Sequence, residues 1–177
     1  MIFYIVLIVI GIIFLILFSL LIINSIKLKS LNLKIIEAEK NITDVLKEKY
    51  ELLVNINNIM KTKDKEDFLK DIELIEVDKI SNFELNNHLT KYDKTITELI
   101  EYNKEIIFDE EEQEEFEKLR KTDLNRLAIE KYYNDNATIM NKLINIFPAS
   151  IIAKFKNYKE KEIFSNKKEE IFEILKK

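Results

Sequence analysis

Along the chain, the hydrophobic pattern changes rhythm once, near residue 24. Before that point, Ile2 to Ile23 is apolar apart from Tyr4, Gly11 and Ser19, and it carries no charge. Beyond it, Leu28, Leu31, Ile35, Ala38, Ile42 and Val45 recur at spacings of three and four, and the series continues through Lys49 to Leu52, Ile56 and Ile59. That period places the residues on one stripe of an α-helix. From Val45 onward Leu46, Tyr50, Leu53 and Met60 widen the stripe, which suits a bundle core better than a two-stranded seam. No breaker separates Ile23 from Lys27, so the apolar run can pass straight into the striped helix.

Three helix-start signals divide the chain after Met60. Asp64 precedes Phe68, Ile72 and Ile75; Ser81 has Glu84 three residues on, a capping box; Asp109 opens the acidic run Asp109 to Glu115. Between them Phe83, Leu85, Leu89, Tyr92, Ile96, Leu99, Ile100, Ile106 and Ile107 keep helical spacing. Short connections predict that consecutive helices pack antiparallel. Ser81 either starts a helix of its own or kinks a longer one, leaving three long helices or four unequal ones. The last helix is expected from Glu110 to Phe147, with Tyr133, Ala137, Met140, Ile144 and Phe147 as its seam and Ile139, Leu143 and Ile146 beside it. Pro148 disfavours α conformation at Phe147 and ends the helix there. Ile151, Ile152 and Phe155 then fold back onto the bundle end. In the tail, Asn166 could cap a short amphipathic helix whose apolar edge is Ile171, Phe172, Ile174 and Leu175. Such a helix would lie on the bundle, on a partner or on a bilayer. The expected fold is therefore all-α: an N-terminal transmembrane helix (1–26), an elongated antiparallel helical bundle (27–155) and a C-terminal tail (156–177).

Length and charge sharpen the membrane reading. The apolar run of about 22 residues spans roughly 33 Å, enough for a ~30 Å hydrocarbon core. It lacks the basic n-region of a signal peptide and ends in Ile22-Ile23-Asn24-Ser25 rather than a small-x-small site. Lys27, Lys29 and Lys34 come after the span and only Met1 precedes it, so the positive-inside rule predicts a single-pass cell-membrane protein, N-terminus outside, bundle in the cytoplasm. The 177 residues include one Gly, one Pro and no Cys, which argues against Gly-rich phosphate loops and excludes disulfides, thiolate metal sites and cysteine nucleophiles. A net charge of −4 with no strongly basic face leaves nucleic-acid binding without its electrostatic footprint.

Candidate chemistry is sparse. His88, the single histidine, lies one turn from Glu84, but the Glu-x-x-His pairs of a di-iron bundle are missing. The acidic run lacks the spacing and glycine of a calcium loop and reads as a helix start favoured by the macrodipole. Asn134 and Asn141, one heptad apart, read as polar groups that bond a neighbouring helix and fix register. No catalytic, cofactor or metal site is expected. An enzyme or cofactor-carrying bundle would need a titratable cluster facing the core, which the stripes do not show. The preferred function is a membrane-anchored scaffold or protein-interaction module, not an enzyme; a subunit of a membrane signalling or proteolysis-linked complex is the alternative.

The stretch YYNDNATIMNKLINIFPASIIAKF resembles the C-terminal signature of the LemA family of bacterial membrane proteins. Tyr133, Asn134 and Asp135 match its Tyr-Asn-Asp, Asn141 its second Asn, and Phe147, Pro148, Ile151, Ile152 and Ala153 its Phe-Pro-Ser-Asn-Ile-Ile-Ala. Ala149 and Ser150 stand where the family has Ser-Asn. Thr122-Asp123 sits where it often has Thr-Glu, and Glu51 to Asn55 resembles its Asp-Leu-Ile-Pro-Asn with Val54 in place of the proline. Ile129-Glu130 replaces a usual Ala-Arg. The resemblance implies a membrane-anchored helical bundle in which these residues are structural, no defined activity and no cofactor. It also implies partnership with proteins of the membrane, among them metalloproteases, whose genes often neighbour those of the family.

Overall fold

The computed structural model describes residues 2–64, 69–102 and 107–164. Among them, all regular structure is helical: α1 (Ile2–Asp64), a 3₁₀ turn (Ile72–Leu74), α2 (Asn82–Tyr102), α3 (Glu110–Leu143) and α4 (Ala149–Phe155). The tail positions Asn166, Ile171, Phe172, Ile174 and Leu175, and likewise Phe68 and Ile106, lie outside the described residues. Two compact units form, one from the described residues of Met1–Ala38 and Tyr132–Ile163, the other from those of Glu39–Lys131 and Phe164–Lys177.

α1 is long because nothing in it stops a helix: it contains no proline, and the one glycine, Gly11, sits well inside it. Its polar side chains in the apolar stretch return to the backbone. Ser19 Oγ donates to the Leu15 carbonyl at 2.8 Å, and Asn24 Nδ2 to the Leu20 carbonyl at 2.8 Å, so each places a donor on the helix's own backbone. This stretch is the one among the described residues long and apolar enough to cross a membrane, and its apolar window is 0% buried, unlike the core helix of a globular domain.

In the second unit the hydrogen bonds fix helix directions. Glu112 pairs with Lys63 at 2.8 Å, and Asp123 with Lys49 at 2.6 Å, so α3 runs antiparallel to this part of α1. Asn82 donates to Thr43 at 2.9 Å, while Asp93 accepts from Lys49 at 3.4 Å, so α2 runs parallel to it. The antiparallel rule therefore holds for α3 and not for α2. The reason is the connection, which doubles back along α1: the Leu69 N–H donates to Asn57 Oδ1 at 3.2 Å, and Asp78 pairs with Lys47 at 2.7 Å. Asp64 is the last residue of α1, and among the described residues from 69 to 81 there is no α-helix; Ile72 is buried in the 3₁₀ turn and Ile75 is half-buried.

Ser81 does start its own helix. Its Oγ accepts from the Glu84 N–H at 3.2 Å. At α3, Asp109 Oδ1 accepts from the Glu112 N–H at 2.9 Å, and Glu112 Oε2 accepts from the Asp109 N–H at 2.8 Å, a reciprocal capping box. The α1 stripe from Ile42 to Ile56 is buried, with Leu85, Leu89 and Ile96 of α2 and Leu119 and Leu127 of α3 also in the core. Phe164 stacks on Phe83 at 4.0 Å between ring centroids.

In the first unit the core is Leu28, Leu31, Ile35 and Ala38 with Tyr133, Ala137, Met140 and Ile144. α3 stops at Leu143, four residues ahead of the expected Phe147. With Pro148 ahead, the chain tightens into i→i−3 bonds, Asn145 N–H to the Lys142 carbonyl (3.3 Å) and Ile146 N–H to the Leu143 carbonyl (3.2 Å). Phe147 is 64% exposed and does not complete the seam. Ile151 and Phe155 do not cap the bundle end either; they are exposed, Ile152 is half-buried, and α4 instead buries Ala149 and Ala153.

α4 ends on a left-handed Asn157 (φ 54°), with the Tyr158 N–H bonded to the Ala153 carbonyl and the Asn157 N–H to that of Lys154. This is a Schellman cap, which Asn tolerates better than other non-glycine residues. The chain then returns along α3. Asn141 clasps Lys161 twice, donating to its carbonyl and accepting from its N–H, both at 2.8 Å. The Tyr133 hydroxyl donates to the Glu162 carbonyl at 2.9 Å, and Asn145 to Glu160 Oε1 at 2.8 Å. Asn141 thus bonds the backbone of a returning irregular segment, where the sequence suggested a neighbouring helix.

These contacts rank the signature residues. Asn141→Ala deletes two hydrogen bonds and strands the Lys161 backbone, so it should cost about 2–3 kcal/mol. Ile151→Ala removes an exposed side chain and should stay within about 0.5 kcal/mol. Denaturant midpoints of the full chain in detergent check both; a larger loss for Ile151→Ala than for Asn141→Ala would contradict this packing.

Candidate functional site

Lys49 occupies a stripe position on α1 where every neighbour in the series is apolar. Its side chain is 1% exposed. An ammonium held there must be paired, since withdrawing an ion from water costs several kcal/mol. α3 supplies the partner, and the same helix supplies a second cation. Asp123, Arg126 and Glu130, at spacings of three and four, share one face of α3. Lys49 Nζ lies 2.6 Å from Asp123 and 3.4 Å from Asp93 of α2. Arg126 donates through Nε to Asp123 at 3.0 Å, and through Nη1 to Glu130 at 2.8 Å and to Asn86 Oδ1 at 3.0 Å. One network therefore ties α1, α2 and α3 together. Beside it, Thr122 donates to Glu48 at 2.8 Å.

Burial pushes the Asp123 carboxyl up, but Lys49 and Arg126 outweigh that penalty and hold it below the usual carboxylate range. Burial likewise disfavours charge on Arg126, and Glu130 and Asp123 more than offset it, raising the guanidinium's pKa.

Two members of the network, Asp93 and Asp123, line a half-open cleft of about 270 Å³ between α2 and α3. Ile96, Ile100, Phe116 and Leu119 supply its apolar lining, and Asp93 and Asp123 bring carboxylates to it. At the rim Arg120 pairs with Glu117 at 3.0 Å. Chemically the arrangement favours holding over reacting. Lys49 and Arg126 are each engaged by carboxylates, so neither presents a nucleophile or an open cation. What the network supplies is directional fixation of three helices.

Periodicity alone does not reveal this cluster, although its signals are present in the sequence. A lysine inside an unbroken apolar stripe is one. An Asp-x-x-Arg-x-x-x-Glu run whose members share a face with Leu119 and Leu127 is the other. The family resemblance touches Thr122-Asp123 without showing their role, and the expectation that no titratable cluster faces the core is corrected. Elsewhere Glu84 and His88 are both exposed, and no group of three or more metal-binding side chains occurs among the described residues. Glu112 of the acidic run serves the α3 capping box and Glu115 pairs with Lys118 at 2.9 Å. Of the signature residues, Tyr133 and Ala153 are buried, Asn134, Asn141, Pro148 and Ile152 half-buried, and Asp135, Phe147 and Ile151 exposed.

No family model, curated protein or solved structure matches this chain.

Breaking the network should be severe. Lys49→Met and Asp123→Asn should each cost about 3–5 kcal/mol, because each leaves buried charge without its partner. The double variant should lose less than the two single losses added, since both act on one pair. A carboxyl with a depressed folded pKa stabilises fully above its unfolded value near 3.9 and loses that contribution as pH falls through the folded pKa. Acid titration of stability below about pH 4 should therefore be shallower in Asp123→Asn than in the wild type; identical acid limbs would remove Asp123 from the account.

Proposed function

We propose that the protein is a membrane-anchored helical-bundle scaffold or interaction module, resembling the LemA family. One observation carries the reading. A charge-free helix whose apolar window holds no buried residue continues without interruption through Asn24–Lys27 into the striped segment of α1. A cleavable leader needs a small-residue processing site at that junction, and the junction is helical and lacks one. The buried ionic cluster supports a structural role over a catalytic one, because its cations are consumed in ion pairs within 3.4 Å. Lys27, Lys29 and Lys34 favour a cytoplasmic bundle in the cell membrane. Partners are membrane proteins, with metalloproteases suggested by the resemblance, and a subunit of a signalling or proteolysis-linked complex is the second reading.

The full-length chain should remain in the membrane pellet after carbonate and high-salt washes, and a C-terminal tag should survive protease added to intact cells. Release of intact protein by either wash would end the anchor reading. Digestion of the tag without lysis would reverse the orientation and leave the anchor standing.

A further inference from the structure

α4 is amphipathic in an unusual sense: it buries its smallest side chains and exposes its largest. Ala149 and Ala153, one turn apart, are 1% and 2% exposed. Ile151 and Phe155, also one turn apart, are 51% and 91% exposed, and the preceding turn adds Ile146 at 57% and Phe147 at 64%. A seven-residue helix with this face in water would be poorly served by the hydrophobic effect, so the face calls for an apolar medium.

Two further observations identify the medium. The first is position. α4 belongs to the same compact unit as the apolar stretch of α1. Within that unit α1 is exposed on all sides up to Ile16, half-buried at Leu17, Leu21, Asn24 and Ser25, and buried along one stripe from Leu28. The cover on α1 thus begins within the last turns of the membrane-length run, in the unit that this stretch forms with the described residues of Tyr132–Ile163. The second is charge. Between Asp135 and Glu160 there is no carboxylate, and Lys142, Lys154, Lys156 and Lys159 are present and exposed. α1 adds Lys27, Lys29 and Lys34 ahead of its first acid, Glu37. An exposed apolar face ringed by lysines, beside the end of a membrane span, has the make-up of an interfacial element on anionic lipid.

We infer that the corner from Ile146 to Lys159 seats Phe147, Ile151 and Phe155 in the headgroup–acyl boundary of the bilayer that α1 spans, with anionic phospholipid as its partner. The inference rests on the anchored reading proposed for α1. It gives the protein a second membrane contact, which sets the tilt and rotation of α1 and turns the exposed part of the signature into a lipid-binding element.

The chain has no cysteine, so single sites can be labelled directly. Ile151→Cys, Phe155→Cys, Ile13→Cys and Lys91→Cys variants of the full chain, each carrying an environment-sensitive fluorophore, are reconstituted in phosphatidylcholine vesicles with and without phosphatidylglycerol. Lipids brominated at shallow or deep chain positions serve as quenchers. Ile13 should be quenched by the deep bromines, and Ile151 and Phe155 by the shallow ones, several-fold more than Lys91. Phosphatidylglycerol should strengthen quenching at Ile151 and Phe155, and Lys154→Gln/Lys156→Gln/Lys159→Gln should abolish that gain. If Ile13 is quenched while Ile151 and Phe155 behave like Lys91, the interfacial seat is overturned and the anchor survives. If Ile13 is not quenched, the anchor fails and this inference with it. Equal quenching without phosphatidylglycerol overturns the anionic-lipid assignment.

Discussion

An ammonium buried in an apolar stripe cannot be left alone, and that constraint organises the second unit. Lys49 is 1% exposed, and the carboxylate that balances it must come from another helix at hydrogen-bonding distance. Asp123 meets it at 2.6 Å, and Arg126 then needs Glu130 to balance its own charge. A slip of one residue along α3 would carry the face shared by Asp123, Arg126 and Glu130 about 100° around the helix and away from Lys49. Apolar contacts between Leu and Ile tolerate such slips; a buried ion pair does not. The network thus makes the pairing of α1, α2 and α3 discrete, the register role best attested for buried polar groups.

Much of the fold is legible because helix formation leaves a local record. Spacings of three and four identify Leu28 to Ile56 as one buried stripe, and Ser81 and Asp109 announce helix starts that the structure makes with side-chain caps. The parallel course of α2 leaves no such record. It depends on Asn57 catching the Leu69 amide and Lys47 catching Asp78, tertiary contacts invisible to a count of connection length. The end of α3 escapes for a related reason. Periodicity shows which face of a helix is apolar, and it does not show where the covering partner stops, so Phe147 extends the seam in the pattern and stands in the open in the fold.

The ionic cluster escapes a pattern search because such a search scores lysine as a solvent residue. Lys49 keeps the phase of the stripe, and that coincidence of charge with phase is the available sign. The clasp at Asn141 is half visible. Its heptad spacing from Asn134 suggests a register role, but nothing local reveals that the partner is the backbone of a segment 20 residues on.

That clasp acts on main-chain groups. Asn141 and Tyr133 hold the carbonyls of Lys161 and Glu162 and the amide of Lys161, and they ask nothing of the side chains those residues carry. The returning segment is therefore anchored through its main chain, and a proline at 161 would remove the one amide the clasp requires while leaving the two carbonyls in place.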